Sequence, residues 1–84
     1  SIARAGEQFG LPDLAVQQYR DLIKRGALLD EVVADLSDLI AEHEDEQTLR
    51  RLHRTLGDAY SKLGRFREAM EEYSWISGSP RAAK

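Results

Sequence analysis

Apolar residues recur at three- and four-residue intervals along nearly the whole chain, the pattern of helices that bury one stripe. The cleanest stretch is 28–42, where Leu28, Leu29, Val32, Val33, Leu36, Leu39 and Ile40 cover one continuous arc of a helical wheel. From 46 to 63 the inward set is Leu49, Leu52, Leu56, Ala59, Tyr60 and Leu63. Arg50, Arg51, Arg54, Asp58, Ser61 and Lys62 spread over the opposite face of that helix. From 66 to 77 the inward set is Phe66, Ala69, Met70, Tyr73 and Ile76, and from 13 to 25 it is Ala15, Tyr19, Leu22 and Ile23. Residues 1–9 read as one further short helix.

The breaks fall between these runs. Gly10 and Gly26 are stop signals, and Pro12 suits a first helical turn, where its missing N–H does no harm. Lys24 and Arg25 place positive charge where a helix dipole favours it. The run His43-Glu44-Asp45-Glu46 is a polar break, with His43 as a helix-end residue and Asp45 as an N-cap. Gly64 can take the left-handed conformation that ends a helix, and Ser77-Gly78-Ser79-Pro80 stops the last one. The expectation is one all-α domain over 1–80, with helices at about 1–9, 13–25, 28–42, 46–63 and 66–77, and a frayed tail at 81–84.

The pattern repeats. Gly10, Ala15, Tyr19 and Leu22 match Gly64, Ala69, Tyr73 and Ile76, each pair 54 positions apart. The second copy contains Leu56-Gly57, then Tyr60, then Gly64, then Ala69 and Tyr73. Gly57 and Ala69 are small enough to let two helices approach closely. This run resembles the tetratricopeptide repeat, a helix-turn-helix unit of about 34 residues. The resemblance covers about residues 1–25 and 49–80, with His53 where the family often has Trp and Tyr73 where it usually has Phe. The excess spacing of about 20 residues is one helix plus a turn, so 28–42 reads as an inserted helix.

The resemblance implies a short right-handed α-solenoid of about five antiparallel helices, two hairpins with the inserted helix between them. It also implies a non-catalytic scaffold or adaptor that binds a protein or peptide. In that family the first helix of each unit lines an inner groove, which would place Arg51, Arg54, Asp58 and Lys62 toward a partner. Some members grip a peptide's terminal carboxylate with basic and Asn side chains; here Arg51 stands at a basic place and Asp58 where an Asn is expected. Arg54 and Asp58, four apart, can also pair with each other.

Composition narrows the rest. Eighty-four residues support only a small core, and 32% charged residues suit helices with broad solvated faces. There is no Cys, hence no thiolate metal site or Cys nucleophile. No apolar run approaches a membrane span and no signal peptide is visible. The opening Ser leads us to expect a processed product or an excised piece; separately, a cytoplasmic location is expected. The net charge of −3 argues against a nucleic-acid backbone as partner. A nucleic-acid-binding regulator is the weakest reading, because the basic helix 46–63 has no aromatic platform beside it.

No catalytic constellation emerges. His43 and His53 lack the i, i+4 spacing of a helical zinc pair, no Ser is matched by spacing to a His and an acid, and Gly6 and Gly10 form no phosphate loop. We expect no enzyme, no cofactor and no metal. His53 reads as a boundary packing residue. Glu31, Asp35, Asp38 and Glu42 form an acidic stripe, either a solvated flank or a docking strip for a basic partner. Trp75 points away from the inward set of its helix, beside Glu68, Glu71 and Glu72. It either lies against its own chain's end or anchors another element or copy. Self-association through this last helix is the alternative function.

Overall fold

The computed structural model describes residues 12–77. They form four helices and no strand: α1 (Pro12–Arg25), α2 (Leu29–Glu42), α3 (Glu46–Lys62) and α4 (Phe66–Ser77). These match the expected elements to within one residue at each end. The expected helix at 1–9 and the tail at 81–84 lie outside the described residues.

Two of the helix ends are built alike. After α1, Gly26 (φ 69°) sends its N–H to the Ile23 carbonyl while Ala27 reaches back to Leu22. After α3, Gly64 (φ 81°) bonds to Ser61 and Arg65 to Tyr60. Each pair is a Schellman closure, which requires a left-handed residue that glycine supplies without Cβ strain. At the second end the Arg65 guanidinium also covers the Tyr60 ring, 5.0 Å from its centroid. The start of α3 follows expectation: Asp45 Oδ2 accepts from both the backbone N–H and the hydroxyl of Thr48 at 2.8 Å. His43 closes α2, its backbone N–H and its ring Nδ1 both donating to the Leu39 carbonyl.

The start of α2 departs from the sequence reading. Leu28 was expected on the inward arc; instead it precedes the helix in a left-handed conformation (φ 55°), 52% exposed and without a side-chain cap. Only Ala27 and Leu28 lie between the Gly26 closure and α2, so the turn falls on a residue whose Cβ disfavours it.

Helix α3 packs against each of the other three. Tyr19 from α1, Val32, Leu36 and Leu39 from α2, and Leu52, Leu56 and Ala59 from α3 form one buried cluster. The acidic stripe of α2 is not wholly solvated, because Asp35 accepts a hydrogen bond from the buried Tyr19 hydroxyl at 3.1 Å. Helix α4 joins α3 through Ala69, which is buried, and through Tyr73, whose ring lies on Gly57. A Cβ on Gly57 would stand 2.6 Å from Tyr73 Cε1, so the expected close approach is real.

That contact rolls α4 away from the wheel inferred from sequence. Phe66 and Met70, expected inward, are 65% and 71% exposed. The inward side is centred on Ala69 and Ile76, and it draws Glu72 toward α3. Gly57→Leu should therefore destabilise the fold by ~1–3 kcal/mol, since the added side chain has no room against the Tyr73 ring; an unchanged melting temperature would remove the close-packing argument. Leu28→Gly should raise stability by up to ~1 kcal/mol through relief of the left-handed strain, read as an increase in thermal midpoint.

Candidate partner-binding site

Helices α1 and α3 leave an open groove between them, of about 310 Å³. Gln17, Arg20, Asp21, Ile23 and Lys24 line it from α1, and Asp58 and Lys62 from α3. The α1 residues recur along one ridge, as side chains three and four apart do on a helix. Ile23 is buried and gives the groove an apolar floor, while Arg20, Lys24 and Lys62 outnumber Asp21 and Asp58 around it. Gln17 Nε2 donates to Asp21 Oδ1 at 3.4 Å, steadying one wall. The stem of Lys62 passes Gly26, within 3.7 Å of where a Cβ there would stand. Its ammonium is thereby placed near the C-terminal end of α1, where the helix dipole favours a cation.

Asp58 is the fixed acid of the groove. Its Oδ1 accepts a short hydrogen bond from the Tyr73 hydroxyl, and Ser61 Oγ lies 3.5 Å from that same hydroxyl. Asp58 is thus held by Tyr73 across the α3–α4 hairpin, and not by Arg54 as the four-residue spacing had suggested. Burial, and then the bond to Asp58, push the Tyr73 phenol above its ordinary pKa, because both disfavour the phenolate.

Of the residues singled out from sequence, Asp58 and Lys62 enter the groove. Arg51 and Arg54 are exposed on the same side of α3 but do not line it. Trp75 lies elsewhere. Its indole stacks on His53, with ring centroids 4.6 Å apart and planes within 8°, and His53 Nδ1 donates to Glu72 Oε1 at 2.7 Å. One face of Trp75 therefore packs on its own chain, while 59% of the residue remains exposed. His53, expected at a boundary, is buried beneath it.

The α1 wall was missed in the sequence. Its signal was there, in polar residues at 17, 20, 21 and 24, but the family resemblance assigned the groove to the other helix of each unit. Among the described residues no group of three His, Cys, Asp or Glu could hold a metal ion, and no helix is long and apolar enough to cross a membrane. No family model, curated protein or solved structure matches the chain.

The Tyr73 hydroxyl carries a pH prediction. Its pKa is raised on folding, so the stability it contributes is complete below the unfolded value of about 10 and is lost as pH rises through the folded value. Denaturant midpoints should fall above about pH 10, and Tyr73→Phe should flatten part of that fall. Identical alkaline slopes in the two proteins would show that the phenol is not under this constraint.

Proposed function

We propose that this chain is a non-catalytic protein-interaction module, a scaffold or adaptor segment whose α1–α3 groove holds an extended, acidic stretch of a partner. The observation that carries the reading is the groove itself, with an apolar floor at Ile23 and cations at Arg20, Lys24 and Lys62 on both walls. An extended peptide can set an apolar side chain on Ile23 and acidic ones against the three cations. Asp58, already bonded to Tyr73, opposes carboxylates on its own side and so gives the groove a direction. We further read the four helices as part of a short right-handed solenoid related to tetratricopeptide repeats. The Gly57–Tyr73 approach and the matched burial of Ala15 and Ala69 support that reading.

The alternative, an oligomerisation element of a parent chain, draws on a different observation, the exposed Phe66 and Met70. A nucleic-acid role is disfavoured by the carboxylates among the groove's cations and by the net charge.

Titration with an acidic extended peptide should shift the resonances of Arg20, Lys24 and Lys62 most. Lys24→Glu should weaken binding about two- to fivefold, the scale of an exposed ionic contact. Random single-stranded and duplex DNA should bind negligibly at physiological salt. Tight DNA binding with a steep salt dependence, or peptide-induced shifts confined to residues outside the groove, would sink the proposal.

A further inference from the structure

The outer side of α4 carries apolar and charged residues in an arrangement that is complementary to itself. Phe66 and Met70 are four apart and mostly exposed, and with Arg67, Glu71 and Ser74 they line a shallow, open depression. Arg65 is engaged with Glu68, at 2.8 Å, so Arg67 and Glu71 are the charges that remain beside the apolar pair. On a regular helix Arg67 and Glu71 fall on the same flank of the Phe66–Met70 ridge, one turn apart.

That flank decides the partner. When two copies of a helix pair antiparallel about a twofold axis, a residue before the axis meets one equally far beyond it on the other copy, on the same flank. With the axis midway between positions 67 and 71, Arg67 of each copy meets Glu71 of the other, twice. Met70 then lies near the axis against its own counterpart, and Phe66 fills the space toward Ser74 of the other copy. An opposite-charge pair four apart on one flank of an apolar ridge satisfies the reciprocal pairing of an isologous antiparallel interface.

We propose that the outer face of α4 is a homodimerisation surface, in which Phe66 and Met70 pack against a second copy and Arg67 and Glu71 form reciprocal ion pairs. One helix pair buries less than the ~1,600 Å² of a standard interface, so the dimer is weak, with Kd in the micromolar range or above. The surface stands apart from the α1–α3 groove and from Trp75, which occupies the opposite shoulder of α4 against His53.

Sedimentation velocity over a concentration series tests the proposal, with circular dichroism confirming that each variant folds. The unmodified chain should associate reversibly, and Met70→Glu should raise Kd at least about tenfold, as loss of a central anchor does. Arg67→Glu alone and Glu71→Arg alone should each raise Kd about tenfold, since both reciprocal contacts become repulsive. An equimolar mixture of those two variants should recover association as a heterodimer, in which every facing pair is again opposite in charge. Trp75→Ser and the groove variant Lys24→Glu should leave association unchanged, so failure here is distinguishable from failure of the peptide reading. A chain that stays monomeric at every concentration, a dimer indifferent to Met70→Glu, or a mixture no tighter than either variant alone would overturn it.

Discussion

The Tyr73 ring lying on Gly57 is the contact through which α4 takes its place. Because position 57 has no side chain, α3 and α4 approach closely enough for the Tyr73 hydroxyl to reach Asp58 and Ser61. The same approach brings Glu72 to His53 and lays Trp75 over the imidazole. With Tyr73 and Ala69 committed toward α3, the roll of α4 is set and Met70 turns outward, while Phe66, on nearly the same side as Tyr73, is exposed as the first residue of the helix. One small residue thereby decides both how the hairpin closes and which apolar side chains it leaves on the surface.

A second tyrosine plays a corresponding part in the other half. Tyr19 and Tyr73 occupy equivalent places in the repeat, and each gives its hydroxyl to a carboxylate on a neighbouring helix, Asp35 for one and Asp58 for the other. Tyr19 lies wholly in the core and Tyr73 half-buried over Gly57, and in each the ring packs while the hydroxyl is satisfied. Among the described residues no buried side-chain polar atom lacks a partner. Thr55, enclosed within α3, returns its hydroxyl to the Arg51 carbonyl, so its burial leaves no donor unpaired.

The two surfaces left after this packing differ in chemistry. The α1–α3 groove is mixed in charge and has a narrow apolar floor, the features from which we propose an extended acidic partner segment. The outer face of α4 is an apolar ridge with one charge of each sign beside it, which favours a second helix. The groove lies between α1 and α3 and the ridge on α4, so the two proposed contacts draw on different residues.

The sequence by itself determined the four described helices, most of their ends and the close approach at Gly57. Local rules suffice for these: periodicity places the inward stripes, glycine marks the Schellman closures at 26 and 64, Asp45 caps α3, and Gly57 announces a close approach. The roll of α4 and the partners of its charged residues were not legible. A wheel containing Phe66, Ala69, Met70, Tyr73 and Ile76 is equally apolar over a range of rotations, and periodicity cannot choose among them. Only the tertiary contact chose, because the space above Gly57 admits the Tyr73 ring and turns Met70 away. The groove was half legible for a related reason: the polar ridge of α1 looks like any solvated helix face until α3 is packed beside it. Leu28 marks the remaining limit: it takes a left-handed conformation just ahead of α2 and lies outside the inward arc to which its apolarity had assigned it.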